Sequence, residues 1–171
     1  MLRKSVNILL AALIILFVSA AVKADTPNAA RDAYLQTYTN ARYGFSISIP
    51  RHMTKEKEPE NGDGFSFHDD KTGMEIKVYG SNNVLFESIG QVVEKMQPKG
   101  SKIINKFGDE HVAGHSDYIV ECRDAQYSYV YRAVMLDNDE RIIRVFIKYP
   151  QSKTKECDAD AKGVTQSLII K

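Results

Sequence analysis

Two histidines, His111 and His115, are the first reason to look for metal chemistry in this sequence of 171 residues. On a helix, imidazoles four positions apart share one face and can chelate zinc. Gly114 and the alternating residues after it predict a strand or turn instead, and Val112 stands where a metalloprotease would carry its glutamate. We therefore interpret both histidines as surface residues at a strand end, and we predict no metal site.

Acidic residues surround the turn Asn61–Gly64, but their spacing does not match a calcium loop. Calcium needs about six to eight oxygen ligands at defined positions, whereas consecutive Asn-Gly and Asp-Gly dipeptides are typical of turns. The sequence also lacks the Gly-x-Ser-x-Gly of a hydrolase elbow, a C-x-x-C pair and a glycine-rich phosphate loop. We therefore expect no catalytic residues, no enzyme activity and no cofactor.

Three tyrosines, Tyr127, Tyr129 and Tyr131, alternate along a predicted strand, which puts all three on one face. Val130 and Val134 point the other way. Exposed tyrosines are good anchors for a protein contact because they combine a large rigid ring with a polar tip. The alternative is that a helix covers this face and that the hydroxyl groups reach its rim. If the chain has a binding surface, these three tyrosines are the first candidates for it.

The chain has two cysteines, Cys122 and Cys157. In an oxidising compartment an even number of cysteines favours a disulfide. The predicted order of strands brings the strand that ends at Cys122 and the approach to the last helix, which holds Cys157, to one edge of the sheet. We predict a Cys122–Cys157 disulfide, which would add about 3 kcal/mol by restricting the unfolded chain. The alternative is two buried or idle thiols.

The compartment is predicted from the first 24 residues. Arg3 and Lys4 precede an uncharged, mostly apolar run, Ser5–Val22, and Val22–Ala24 has the small residues of a cleavage site. The run is also close to the length of an uncleaved membrane anchor, about 17–25 residues, but the segment Asp25–Asn28 that follows breaks a helix. We predict a cleaved signal peptide over residues 1–24, with an uncleaved anchor as the alternative.

Cleavage would leave residues 25–171 as a single domain without a stable membrane anchor, and would change the net charge from +1 to −2. A nearly neutral protein gives no reason to expect nucleic acid as a partner. The short basic start and compact apolar run favour a periplasmic location, with secretion to the outside as the alternative.

Short alternating runs predict strands along most of the mature chain. These strands are Phe45–Ile49, Phe65–His68, Met74–Tyr79, Lys102–Phe107, His111–Glu121, Gln126–Leu136 and Arg141–Tyr149. Helical spacing predicts one helix over Asn83–Gln97, with Val84 and Leu85 on its apolar side, and a closing helix over Lys155–Ile170. This order of elements predicts an α+β fold, an α/β/α sandwich with a mostly antiparallel central sheet.

Two segments, Tyr43–Pro50 and Gly62–Phe67, resemble the start of PsbP-like domains, the domains of the extrinsic photosystem II subunit and its bacterial exported relatives. The similarity continues through Met74–Asn83, with its Gly80–Asn83 stretch, and the later strands and last helix match in order. The resemblance implies an α/β/α sandwich and an accessory or binding role. It supplies no catalytic residues and no photosystem partner for this chain.

The sequence thus predicts a non-enzymatic exported accessory or binding protein of the bacterial periplasm. We expect it to act through contact with a protein partner in the cell envelope. The alternative is a periplasmic inhibitor or immunity-type protein that blocks an envelope-degrading enzyme.

Overall fold

A computed structural model describes residues 34–57, 59–112 and 115–171. The predicted signal peptide lies outside these residues. Within them the chain forms ten strands: β1 (Leu35–Asn40), β2 (Phe45–Pro50), β3 (Thr54–Lys55), β4 (Gly64–Asp69), β5 (Met74–Asn82), β6 (Lys102–Val112), β7 (His115–Arg123), β8 (Tyr127–Leu136), β9 (Arg141–Pro150) and β10 (Ile169–Ile170). It also forms the helices α1 (Ile89–Met96) and α2 (Thr154–Gln166), the second after a 3₁₀ turn at Gln151–Lys153.

Seven of these strands form one sheet in the order β3-β4-β5-β9-β8-β7-β6, and every neighbouring pair is antiparallel. Val78 of β5 lies opposite Val145 of β9, and Ile147 of β9 lies opposite Val130 of β8. Because directly opposed residues share a face, the apolar positions of successive strands form one continuous buried surface.

The larger core lies between this surface and two covering elements. One is a three-stranded sheet in the order β1-β2-β10, whose central strand buries Phe45, Ile47 and Ile49. The other is α2, which contributes Ala161 and Val164 to the same cluster. The small sheet and α2 together form the layer on this face.

The opposite face is covered by α1, which packs on β7 and β8. Its buried side chains are Ile89, Val92 and Val93. The helix has only eight residues, so it cannot cover a seven-stranded sheet, and Lys77 and Tyr79 of β5 remain exposed on this face. Neither helix of the described chain is long and apolar enough to cross a membrane.

The predicted start of the first helix at Asn83 is wrong. A capping box begins the helix later: the Ser88 side chain accepts from the Gln91 main-chain N–H, and the Gln91 side chain accepts from the Ser88 main-chain N–H. Val84 and Leu85, which the helical spacing assigned to the apolar side of the helix, therefore lie in the preceding loop.

The predicted α+β class is confirmed, since helices cover both faces of a mostly antiparallel sheet. The small sheet was not predicted, because β1 is polar and does not alternate clearly. In the structure Leu35 lies opposite Pro50 and Asn40 opposite Phe45, so β1 forms mainly by pairing with β2.

The predicted Cys122–Cys157 disulfide is not formed. Cys122 points to the α1 face and is buried in the same cluster as Tyr129, whereas Cys157 is buried in the core under α2. The sheet lies between these clusters, so the two free thiols face opposite layers. The alternation along β7 decides this, because it points Cys122 away from the helix that carries Cys157.

Candidate interaction surface

The three tyrosines predicted as a contact stripe lie on the α1 face of β8, but α1 and its neighbours cover two of them. Tyr131 is fully buried, and its hydroxyl has no hydrogen-bond partner in the described chain. Tyr129 is also buried, and its hydroxyl donates to the Asp124 carboxylate over 2.6 Å. Tyr127 stays half-exposed, with the Lys148 ammonium 4.3 Å from its ring centroid. The covering-helix alternative therefore describes Tyr129 and Tyr131, and Tyr127 alone remains accessible.

The most exposed apolar side chains of the described residues lie in the loop between β5 and α1. Val84 is 74% exposed, Leu85 69% and Phe86 91%. We call these three residues the apolar loop. Single exposed apolar residues are common on soluble proteins, but a contiguous apolar patch usually marks a contact site.

Phe86 has a main-chain conformation that bulky residues avoid. Its φ is +52°, in the left-handed region, which costs an L-residue about 1–2 kcal/mol. Conformations of this kind persist where the surrounding structure imposes them, and they cluster at functional sites. Because the strained conformation of Phe86 costs stability, the contribution of this loop to stability does not explain its shape.

Asn83 imposes the shape of the apolar loop. Its side-chain carbonyl accepts from the Glu87 N–H over 2.9 Å, and its amide donates to the Glu87 carbonyl over 2.9 Å. The same amide donates to the Asp139 carbonyl over 2.8 Å, and the Asn83 N–H donates to the Glu140 carbonyl over 2.7 Å. Asn83 is itself buried, so it closes the loop at its base and fastens it to the turn between β8 and β9.

The turn between β8 and β9 is acidic and has an unusual main-chain conformation. Asp137, Asn138 and Asp139 all have positive φ, at 56°, 55° and 69°, which Asn and Asp tolerate better than other residues. Asp137 pairs with Arg141 at 2.8 Å. A cavity of about 560 Å³ separates the turn from the apolar loop. The apolar loop therefore has carboxylates along one side.

A basic cleft opens on the other side of the loop, between α1 and the uncovered part of β5 and β9. Its volume is about 430 Å³, and its lining consists of Lys77, Tyr79, Glu87, Val92, Lys95, Met96, Arg144 and Phe146. Arg144 donates to the Ser81 hydroxyl over 2.6 Å and lies 5.7 Å from the Tyr79 ring centroid. Lys95 forms an ion pair with Glu87. We call this feature the basic cleft.

Comparison with solved structures bears on the fold. The solution structure of cyanobacterial PsbP (CyanoP) from Synechocystis sp. PCC 6803 matches with a TM-score of 0.59 at 14% identity, over 81% of this chain and 94% of that one. The fold is PsbP-like. At this identity the likeness concerns the fold alone.

Two further solved structures match this chain more loosely. The Ran-binding protein Mog1p of Saccharomyces cerevisiae gives a TM-score of 0.49 at 6% identity, over 80% of this chain and 95% of that one. LpqN of Mycobacterium tuberculosis, described as involved in cell envelope biogenesis, gives 0.48 at 11% identity, over 82% and 93%. No protein-family model and no curated protein sequence matches the chain.

A third cavity of the PsbP-like fold, about 330 Å³ in volume, brings His52, Asp69, Thr72 and Cys157 together near Tyr34. Burial raises the pKa of the Cys157 thiol, and a hydrogen bond from Thr72 lowers the pKa of the Asp69 carboxyl. Both shifts run against nucleophile or general-base chemistry, which needs a lowered thiol pKa or a raised carboxyl pKa. The described part of the chain also contains no group of three metal-ligating side chains.

The other residues singled out in the sequence have ordinary surroundings. Asn61 and Asp63 bond to each other over 2.7 Å, and Arg42 pairs with Asp63 at 2.8 Å, so these groups stabilise a turn. His115 is half-buried at the start of β7, and the side chain of His111 lies outside the described residues.

Sequence reasoning missed both the apolar loop and Arg144. A usable signal for the loop was present, because Ser88 and Gln91 have the spacing of a capping box. A helix starting there leaves Val84, Leu85 and Phe86 outside it. Arg144 gave no comparable signal, since its position beside Tyr79 depends on the pairing of β5 with β9.

Proposed function

We propose that this chain is a non-enzymatic binding or accessory protein that acts through protein–protein contact in the bacterial periplasm. The observation that carries the proposal is the apolar loop: three large apolar side chains held outside the fold by a buried asparagine. Apolar residues in water cost about 25 cal/mol for every Å² that a partner could cover. A loop that is already fixed also loses little conformational entropy on binding.

The acidic turn beside the loop favours a protein as the binding partner. Asp139 and Glu140 would meet the phosphates of a lipid surface, and this repulsion opposes insertion of the loop into an anionic bilayer. An apolar pocket with cationic residues on its rim would instead match both the loop and the turn.

The experiment is site-specific photo-crosslinking in the native host. A photoreactive phenylalanine analogue replaces Phe86 in one strain and Phe107 in another. Phe107 is the matched control, because it is a second exposed phenylalanine, 56% accessible on the edge strand β6. We expect a discrete protein adduct from position 86 and none of the same mass from position 107. Identical adducts from both positions, or none from 86, would overturn the proposal.

The alternative hypothesis, an inhibitor or immunity-type protein, would use the same apolar loop, since a rigid projecting loop can also insert into an enzyme cleft. It requires the crosslinked partner to be an envelope-degrading enzyme. Stoichiometric addition of the wild-type chain would then abolish the enzyme's activity, and the Phe86→Ser variant would not. If the enzyme keeps its full activity with the wild-type chain, the inhibitor hypothesis is wrong and the accessory role remains.

Export belongs to the same proposal. Cleavage of residues 1–24 would release a protein that begins at Asp25. N-terminal sequencing of the protein from a periplasmic extract tests this directly. An intact N-terminus in the membrane fraction would instead indicate an uncleaved anchor.

A further inference from the structure

We infer that the basic cleft is a second binding site, for an amphipathic anion: a carboxylate or similar acidic group attached to an apolar body. This site goes beyond the proposed protein contact, because it lies between α1 and the open sheet face rather than on the apolar loop. Three properties of the cleft carry the inference: its floor, its charge and its size.

The floor of the cleft is apolar and partly aromatic. Phe146 stacks on the buried Tyr131 at a centroid distance of 6.3 Å, and it packs with Met96 against the edge of the α1 cluster. Val92 of α1 adds a buried aliphatic side chain to the lining. The sheet therefore presents a firmly packed apolar surface to the cleft, which can hold an apolar ligand body.

The rim of the cleft carries uncompensated positive charge. Glu87, the one acidic residue of the lining, is neutralised by its ion pair with Lys95. Lys77 and Arg144 form no ion pair within the described part of the chain. Two cations beside an apolar floor favour an anion with an apolar body over a neutral or cationic ligand.

Arg144 is held in position for this role. Its bond to the Ser81 hydroxyl uses one of its five N–H donors, and its guanidinium lies over the Tyr79 ring. The remaining donors can bind a carboxylate in a paired geometry. The volume of about 430 Å³ falls in the range of small-molecule sites, roughly 300–1,000 Å³.

The test uses a matched pair of probes, 4-phenylbutyrate and 4-phenylbutylamine, which share an apolar body and differ in charge. Each is titrated into the full domain and followed by amide chemical shifts. We expect saturable one-to-one binding of the carboxylate, with shifts concentrated in β5, β9 and α1, and at least tenfold weaker binding of the amine. No binding, or equal affinity for both probes, would overturn the inference.

Variants identify the cations responsible. Arg144→Gln and Lys77→Gln should each weaken binding of 4-phenylbutyrate at least fivefold, and since Lys77 is exposed its loss leaves the fold intact. Lys106→Gln is the control, because Lys106 also lies over a tyrosine, 4.4 Å from the Tyr118 ring centroid, but outside the cleft. It should change the affinity less than twofold. Equal effects of all three variants would contradict the site.

The Phe86→Ser variant separates this inference from the proposed function. It removes the apolar loop's largest side chain and leaves the lining of the basic cleft intact. We expect it to bind 4-phenylbutyrate with unchanged affinity while losing affinity for the crosslinked protein partner. If Phe86→Ser abolishes probe binding, the probe occupies the loop and the cleft is not a site.

Discussion

The side-chain amide of Asn83 donates to the main-chain carbonyl of Asp139 over 2.8 Å, across 56 positions of sequence. This bond joins the loop after β5 to the turn between β8 and β9. The apolar loop is therefore fastened to that turn as well as to β5, the strand that precedes it. A contact loop held in this way presents one conformation to its partner. Phe86, with its positive φ, lies between Asn83 and Glu87, which the other two side-chain bonds of Asn83 join.

Asn83→Ala should destabilise the fold, because it removes three side-chain hydrogen bonds and leaves the Glu87 and Asp139 main-chain groups without these partners. With each bond contributing about 0.5–1.5 kcal/mol, we expect a loss of about 2–3 kcal/mol in urea unfolding. Asn82→Ala is the control: Asn82 is an exposed neighbour, and its loss should cost less than about 0.5 kcal/mol. Equal losses for the two variants would show that Asn83 does not hold the loop.

Phe86→Gly should stabilise the protein by about 0.5–1 kcal/mol, because the steric cost of positive φ for phenylalanine, about 1–2 kcal/mol, exceeds the entropic cost of glycine, about 0.5–1 kcal/mol. The lost side chain is almost fully exposed, so little packing is lost with it. Leu85→Gly, at an exposed neighbour with ordinary φ, should instead destabilise by about 0.5–1 kcal/mol. Thermal unfolding of both variants measures these changes. A loss of stability in Phe86→Gly would show that the main chain at Phe86 is not strained.

The apolar loop shows where sequence patterns reach their limit. Val84 and Leu85 fit the helical spacing of Ile89, Val92 and Val93, so periodicity alone extends the helix into the loop. The capping box at Ser88 marks the true start, and it outweighs periodicity because it satisfies main-chain N–H groups that a helix start leaves unpaired. No local pattern predicts the exposure of these side chains, because it depends on the hydrogen bond from the Asn83 side chain to the distant Asp139 carbonyl.

Two glycines give opposite predictions for the same substitution. A Cβ on Gly80 would lie 2.2 Å from Cγ of the buried Tyr43 ring, so Gly80→Ala should cost about 2 kcal/mol or more. A Cβ on Gly163, inside α2, meets nothing within 4 Å, so Gly163→Ala should stabilise by about 0.5–1 kcal/mol. Urea unfolding of the two variants measures both, and a similar sign for both would contradict the packing described between β5 and the loop after β1.

The tyrosines and cysteines of the sheet also show what sequence patterns can and cannot predict. Alternation correctly placed Tyr127, Tyr129 and Tyr131 on one face, because the two-residue period of a strand is local. Which face α1 covers, and that Cys157 packs on the other one, depends on how distant segments fold back on the sheet. The alternating strands and the antiparallel class were predictable for that reason, whereas the accessible surface was not.

The thiols provide a direct check of this layer arrangement. Cys122 and Cys157 are both about 1% exposed, and burial raises the pKa of each thiol. We expect no alkylation of the folded protein by iodoacetamide, and two alkylated thiols in denaturant without reductant, read by intact mass. A mass that lacks both adducts until reductant is added would show a disulfide, and the two cysteines could not then lie on opposite faces.

The central claim is that the apolar loop contacts a protein partner, and the dissociation constant of that complex tests it most directly. Calorimetric titration compares the wild type, Phe86→Ser and Phe107→Ser against the purified partner identified by crosslinking. Loss of a central aromatic anchor costs about 2 kcal/mol or more, which corresponds to roughly a 30-fold increase in Kd. We predict an increase of that size for Phe86→Ser and less than about threefold for Phe107→Ser. A Kd for Phe86→Ser within threefold of the wild type would contradict the account.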